Sequence, residues 1–334
     1  MKQKTIEDDT ISVEDLLEIA HSFQQSRVFL TACELGIFTI LGSGQKTSKE
    51  IAGELGADER ATDRILNALT ALDIIKKQGT RFSNSKSSLK FFTKGQPEFL
   101  GNLLHLTHSS DRWRTLTESV KLGTAVQYKD IQDKSDAWLS SYIASNHWYA
   151  KLHAPEIADI IDLSKIERLL DIGGGSGAYS MEFVKIKPQL KAVVFDMPKI
   201  IPYTKEYLES SGFGNKIETI AGNYFTDDFG KNYDMVFISY VCQNHTIWEN
   251  LELMRRVFDA LKFGGTVVIQ EFLINDDRTS PVNGALLSLN MLVNTRAGDA
   301  YTETDLWLIL RESWFSKIHR IDTHYGTSLM IGKK

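Results

Sequence analysis

Cysteine is nearly absent. Two residues in 334, Cys33 and Cys242, stand far apart and in no CxxC spacing. That excludes a disulfide framework and a cysteine-built zinc site. Nor is there an excess of positive charge. Lys and Arg number 38 against 43 Asp and Glu, a net charge of −5. A nucleic-acid binder needs clustered cations for phosphate, so no nucleic-acid partner is expected. No apolar run reaches the length of a membrane span, and no membrane partner is expected. The opening "MKQKTIEDDTISVEDL" is acidic and has no apolar h-region, so cytoplasmic residence is the expectation. There is no internal repeat, no low-complexity segment and no HExxH spacing, and no metal site is expected.

What is present divides into three segments, 1–100, 101–165 and 166–334. The first reads as helical. In "TSKEIAGELG", Thr47 and Glu50 have capping-box spacing, which satisfies free N–H groups at a helix start, and Gly56 suits a turn. Ile65, Leu66, Leu69 and Leu72 then share one helical face. "KKQGTRFSNS" reads as a short hairpin. Helix, turn, helix, hairpin is the winged-helix pattern, whose obvious use is DNA binding. The second helix, however, sets Asp58, Glu59 and Asp63 beside Arg60 and Arg64, and its face is not basic. A structural or dimerisation role is the alternative. The second segment is helical and rich in aromatics and histidine. Trp113, Trp138, Trp148 and Tyr149 read either as core or as a substrate wall, with His105, His108, His147 and His153 spread among them.

From residue 167 strands and helices alternate. "RLLDI", "KAVVFD", "KIETIAG", "YDMVFISY" and "TVVIQEFL" are short apolar runs separated by helical segments, the pattern of a doubly wound α/β sheet. "KIHRIDTH" and "TSLMIGKK" close the chain as a hairpin that adds an antiparallel strand. In "LLDIGGGSGAYSMEF", which follows the first strand and opens a helix, Gly173, Gly175 and Gly177 let the backbone turn sharply and approach a ligand that a Cβ would block, and Gly174 between them is a further cofactor-binding candidate. The string also satisfies G-x-G-x-x-A, a dinucleotide pattern, and alone it is consistent with a plain strand–helix turn. Asp171, just before the glycines, suits loop organisation or a ligand ammonium group. Asp196 ends the next strand, where ribose hydroxyls are bound. The terminal antiparallel hairpin separates the alternatives: it fits a methyltransferase sheet with S-adenosyl-L-methionine (SAM) and not a dinucleotide sheet.

Six stretches in order resemble one family: "LLDIGGGSGAYS", "VVFDMPKII", "IAGNYFTDDF", "YDMVFISYV", "ENLELMRRVFDALKFGGTVVIQEFL" and "LNMLVNTRAGDAYTETDL". They are similar to the class I SAM-dependent O-methyltransferases of the dimeric caffeate/hydroxyindole type, bacterial branch. The resemblance spans nearly the whole chain. It implies a Rossmann-like SAM methyltransferase sheet behind an all-α winged-helix dimerisation domain, a homodimer, SAM as cofactor and S-adenosylhomocysteine as product. It sets Gly173 and Gly175 against the methionine part of SAM, Asp196 with Met197 at the ribose, Asn223, Tyr224 and Phe225 beside the adenine, and Ser239 near the methionine carboxylate. Asn223 departs from the family's Asp; an amide still accepts a hydrogen bond but brings no charge. The middle helices would line a cleft with His105, Trp113 and Trp148, and "LLSLNMLVNT" would add Asn290, Met291 and Asn294. Met291 would grip an aromatic ring or pack in the core.

The largest departure lies in "ISYVCQNHT". The family's general-base histidine falls on Gln243, and a glutamine takes no proton near neutral pH. Position 300, an acid in plant members, is Ala300. Glu271 matches the other family carboxylate. His245, two residues on, is the nearest replacement, since a two-residue shift in a strand keeps the same face. Thr246 and Glu249, in capping-box spacing, start a helix at Thr246 and leave His245 just before the cap. His105, His147 and His153 are further candidates, and the remaining reading is that no base acts and Gln243 orients substrate. A phenol loses its proton at about pH 10, and a positioned base contributes about 10²–10⁴-fold. Three functions follow in order: O-methylation of a small aromatic hydroxyl compound; a SAM-binding relative with altered chemistry, through C- or N-methylation or a non-methylating reaction; and a winged-helix regulator sensing a small ligand.

Overall fold

A computed structural model describes residues 11–101 and 103–334; the first ten residues of the acidic opening lie outside it. The chain divides into two compact units, one ending at Leu106 and the other beginning at Thr107.

The first unit carries α1 (Val13–His21), α2 (Phe23–Glu34), α3 (Ile37–Leu41), α4 (Ser48–Leu55), α5 (Glu59–Ala71) and α6 (Lys86–Phe92). Its core gathers Ile37, Phe38, Ile51, Leu66, Leu69 and Phe82. The expected capping box forms: Thr47 accepts from the Glu50 amide, and Glu50 answers at the Thr47 amide. Gly56 ends α4 in the left-handed region, φ 64°. The expectation of an all-helical domain is corrected. β2 (Ile75–Gln78) and β3 (Arg81–Asn84) form the hairpin, and β1 (Lys46–Thr47) joins it to make a three-stranded antiparallel sheet. Two residues, the second of them the helix cap itself, show no alternation, so β1 has no signature of its own.

Next come α7 (Leu104–Trp113), α8 (Leu116–Leu122) and the long α9 (Asp136–Ile160), and then the alternating region. Its strands are β4 (Arg168–Ile172), β5 (Lys191–Asp196), β6 (Ile217–Ala221), β7 (Tyr233–Ser239), β8 (Leu261–Glu271), β9 (Ser316–Asp322) and β10 (Ser328–Lys333). Its helices are α10 (Ala178–Ile186), α11 (Ile201–Ser210), α12 (Ile247–Ala260), α13 (Val282–Asn294) and α14 (Glu303–Glu312). The sheet order is β6-β5-β4-β7-β8-β10-β9. Strands β6, β5, β4, β7 and β8 are parallel, and β10 runs antiparallel to β8.

Successive side chains on a strand face opposite ways, so each strand feeds two cores. Leu170, Ile172, Val236 and Ile238 meet Leu253 and Met254 of α12 and Leu306 and Ile309 of α14. Leu169, Val194, Met235 and Phe237 meet Ile157 of α9 and Tyr179 and Phe183 of α10. Burial on both faces explains why the strands read as unbroken apolar runs. Strand order reverses between β4 and β7, and the carboxyl ends of the strands at such a switch point are where sheets of this kind bind ligands. No helix among the described residues is long and apolar enough to cross a membrane.

Candidate active site

The glycine loop leaves β4 and enters α10 at this switch point. Gly173 (φ 68°) and Gly175 (φ 56°) adopt left-handed backbone, which costs a side-chain-bearing residue energy. Space is as tight as conformation. A Cβ at Gly173 would lie 2.6 Å from Val241 Cγ2, and one at Gly174 2.8 Å from Asp171 Cγ. The loop therefore lies directly on the Asp171 carboxyl and against the segment that follows β7.

Two buried acids stand at this loop. Asp196 accepts the Gly175 amide at 2.8 Å on Oδ2 and the Met197 amide at 2.7 Å on Oδ1. Burial nevertheless pushes its carboxyl up to about 6. Asp171 accepts the Ser180 hydroxyl at 2.8 Å on Oδ2, while its Oδ1 is buried with no partner. Burial, and then the negative charge of Asp196, push Asp171 up to about 7. An unpaired buried carboxylate oxygen beneath a close-approach glycine loop suits a cationic ligand. The residues therefore fit SAM, which carries a sulfonium and an ammonium group.

Helix α9 adds a wall. Trp138 stacks on Tyr142 at 4.9 Å, and both, like Met197, pack against the cluster of Leu139, Ile143 and Ile200. One turn on, His147 Nδ1 pairs with Ser176 Oγ of the glycine loop at 2.8 Å, and its ring stacks on Tyr207 at 4.3 Å. Burial drops His147 to about 4, a neutral imidazole at physiological pH. Tyr142, Ser176 and Tyr207 were not among the residues expected at the site. The one signal for Tyr142 is its spacing of four from Trp138 on a helix. Trp148 packs edge-on to Tyr149 at 5.1 Å, and His153 is buried and stacks on Tyr325 at 4.5 Å.

The carboxyl ends of β7 and β8 form the other side. Ser239 Oγ donates to Gln270 Oε1 at 2.9 Å. Tyr240 follows at φ 56°, an uncommon state for a residue with a ring, and such residues concentrate at functional sites. Gln243 lies in the short turn Cys242–Asn244. Its amide N–H donates to Glu271 Oε1 at 3.2 Å, its carbonyl accepts from Asp299 N at 3.0 Å, and its Oε1 is buried without a partner. Glu271 ends β8 at 1% exposure; its Oε2 also lacks a partner, and burial pushes it up to about 8 despite the facing amides of Gln243 and Cys242.

His245 occupies the residue before the cap, and Thr246 and Glu249 make the expected capping box. Its Nε2 is 2.5 Å from Tyr224 Oη, and its ring meets Phe225 edge-on at 4.9 Å. Tyr301 donates to its carbonyl, and burial holds its imidazole below the usual range. Asn223 turns its Oδ1 to the Phe225 amide at 2.9 Å, which fixes the bend that carries Tyr224 and Phe225.

On α13, Asn290 Oδ1 accepts from Trp113 Nε1 at 3.1 Å and from Asn294 Nδ2 at 3.0 Å, and Met291 is buried. Trp113, Asn290 and Asn294 are thus brought together. His105 belongs to the first unit, in the opening turn of α7.

Comparison with known proteins adds the family. The chain is similar to 3-hydroxy-5-methyl-1-naphthoate 3-O-methyltransferase of Streptomyces sahachiroi, 28% identical over 92% of this chain and 90% of that one. It is also similar to N,N-dimethyltransferase OxyT of Streptomyces rimosus, 27% identical over 96% of each chain. The structure of human N-acetylserotonin methyltransferase in complex with SAM superposes with a TM-score of 0.86 at 24% identity, covering 98% of this chain and 99% of that one. A model of the O-methyltransferase dimerisation domain matches residues 17–94, and one of the O-methyltransferase domain matches residues 122–316. The chain belongs to the O-methyltransferase family.

Proposed function

We propose that this SAM-dependent O-methyltransferase acts as a homodimer on the hydroxyl oxygen of a small aromatic metabolite, and that Glu271 takes the hydroxyl proton. SAM supplies, when bound, an electrophilic methyl group on a sulfonium. Gly173, Gly174 and Gly175 would hold its methionine part over Asp171, with Ser239 beside them. Asp196 and Met197 would hold the ribose, and Asn223, Tyr224 and Phe225 the adenine. Among the acceptor-side residues, Trp113, Asn290, Asn294, Met291 and Trp148 would orient the ring.

As the acceptor oxygen takes that methyl group, with S-adenosylhomocysteine as the leaving group, the hydroxyl proton would pass to Glu271 Oε2. The observation that carries this reading is that oxygen: buried, unpartnered and on a carboxyl raised to about 8. Moving a proton from a phenol near 10 to a group near 8 costs about 3 kcal/mol; an ordinary glutamate would cost about 8 kcal/mol. Gln243, with its amide on Glu271 Oε1, orients the pair. His245 holds Tyr224 and Phe225 from behind and acts through them on the cofactor. Support for the dimer is the match to the dimerisation domain together with α1, none of whose side chains is buried.

Incubation with SAM and a panel of hydroxyl-arenes, followed by product mass spectrometry, tests the reaction. The expected product gains one methylene on oxygen. The relative OxyT is an N,N-dimethyltransferase, so aromatic amines belong in the panel; methylation of amines alone overturns the oxygen reading. Calorimetric titration that finds no SAM binding overturns the enzyme reading altogether.

A further inference from the structure

The run "TVVIQEFL" breaks its apolar pattern at Gln270, one residue before Glu271. Gln270 is completely buried on β8. Its neighbours across the sheet are Ser239 on β7 and Leu329 on β10. Side chains alternate along a strand, so Gln270 shares the face of Val268, and Ser239 that of Met235 and Phe237. That face packs on Tyr179 and Phe183 of α10. A buried amide among such side chains is costly unless it is hydrogen-bonded. Here both its ends are. Its Oε1 accepts the Ser239 hydroxyl at 2.9 Å, and its Nε2 donates to Thr327 Oγ1 at 3.3 Å.

The bonds continue outward. Thr327 Oγ1 pairs with Thr323 Oγ1 at 2.8 Å, and the Thr323 amide and hydroxyl both donate to Thr327 O, at 2.9 and 3.1 Å. These two buried threonines close the turn of the β9–β10 hairpin. Helix α9 holds that turn from outside: the His324 amide donates to Glu156 Oε1 at 2.8 Å, and Tyr325 stacks on His153 at 4.5 Å. One set of contacts therefore runs from α9, through the turn and Gln270, to a hydroxyl at the carboxyl end of β7.

Stability does not require this set. Exchanging bonded polar partners for apolar groups of similar shape is close to neutral, and an apolar residue at position 270 would match the rest of its strand. What the amide adds is direction. A serine hydroxyl rotates to whichever partner is near, and Ser239 is only half-buried. The Tyr179 hydroxyl, buried and without a bonded partner, faces both Ser239 and Gln270 and competes for it. Bonded to Gln270, which Thr327 holds in place, the Ser239 hydroxyl keeps one orientation.

We propose that Gln270 and Thr327 are positioning residues that fix the Ser239 hydroxyl for the methionine end of SAM, which makes the terminal hairpin turn a support of the cofactor site. This rests on the reading that Ser239 touches SAM.

The test is calorimetric titration of the full chain with S-adenosylhomocysteine, with the melting temperature of each variant measured beside it. Ser239→Ala sets the scale for loss of the contact. Gln270→Leu should weaken S-adenosylhomocysteine binding about five- to tenfold, the worth of one hydrogen bond. Its melting temperature should hold, because Ser239 still reaches solvent and Thr327 still has Thr323. Thr327→Val should weaken binding in the same direction, and Thr327→Ser, which keeps the hydroxyl, should restore it. The Ser239→Ala, Gln270→Leu double variant should bind as Ser239→Ala does, since both changes act through one hydroxyl. In turnover the loss should fall on the KM for SAM more than on kcat. Full affinity in Gln270→Leu overturns the proposal, and so do losses that add in the double variant. Binding by Thr327→Ser as weak as by Thr327→Val overturns it too, as does an affinity loss matched throughout by a fall in melting temperature. Where Gln270→Leu does not fold, the two Thr327 variants decide by the same criteria. If Ser239→Ala binds as tightly as wild type, the Ser239 contact and this proposal fail together while the methyltransferase reading stands. A wild-type chain that binds no S-adenosylhomocysteine overturns that reading itself.

Discussion

Gln243 and His245 follow the carboxyl end of β7 and Glu271 ends β8 beside it, yet their surroundings set them to different tasks. His245 is tied at Nε2 to Tyr224 and edge-on to Phe225. Glu271 keeps one oxygen without a partner. Glu271→Gln should therefore lower kcat about 10²–10⁴-fold and flatten its pH profile. The wild-type profile should rise with pH through about 8, because the raised carboxyl must first ionise to accept a proton. His245→Ala should leave kcat within about tenfold and act mainly on the KM for SAM. A full loss of kcat in His245→Ala, with a normal pH profile in Glu271→Gln, would return the base to the histidine. The gap at Gln243 was visible in the sequence because the end of an apolar strand is easy to locate. The position of His245 before a cap was visible too, through the spacing of Thr246 and Glu249. Its partner was not. Tyr224 stands 21 residues away, beyond β6, which the sheet separates from β7 by β5 and β4. Nor does "IQEF" disclose that its glutamate is buried, since that burial comes from the neighbouring β7 turn.

Elements were legible in proportion to how one-sided their surroundings are. The parallel strands β4, β5, β7 and β8 were readable as short apolar runs because both their faces are covered, whereas β6 at the edge of the sheet is more open. The terminal hairpin was readable from its Tyr-Gly turn, where Gly326 has φ 78°. β8 begins at Leu261, earlier than its apolar run, because the chain slips register against β7 between Tyr233 and Met235 around two glycines. Gly264 there has φ 76°, a turn state and not a strand state. Helix α9 was the hardest. Its buried positions include Leu139, Ser141, Ile143, Ser145 and His153, which form no single apolar stripe. Covered on several sides, it hides which residues face the glycine loop, so Tyr142 went unnoticed and His147 passed for a base candidate. The small strand β1 failed for a different reason. Its two residues pair with β3, and only that pairing defines it.

For the whole molecule, α1 and its flanks raise the question of assembly. Ile11, Val13, Leu16, Leu17, Ile19 and Phe23 are each more than half exposed. Covering such side chains is worth roughly 1.5–3 kcal/mol apiece when burial is complete. A surface of that kind on the dimerisation domain is stable in water mainly when a second copy covers it. Leu17→Glu combined with Phe23→Glu should convert the dimer to a monomer, read by size-exclusion chromatography with light scattering at micromolar concentration. A monomeric wild-type chain, or a double variant with unchanged mass, would refute the assembly.

With SAM held over the glycine loop, the two carboxyls at that loop would make cofactor loading a proton exchange. Asp171 and Asp196, raised to about 7 and about 6, hold protons in the empty fold that an unfolded chain would release near pH 4. Their contribution to the stability of the free protein is therefore fully present below the unfolded value and fades as pH rises to 7. A cationic ligand reverses the preference, since it favours the ionised pair and drives the proton into solvent. Affinity for SAM should climb as pH rises through 6 to 7. Titrations in two buffers of different ionisation enthalpy should differ in apparent heat by the protons released; identical heats would show that none leaves. A cell that acidifies would then unload this enzyme while making its empty form more durable.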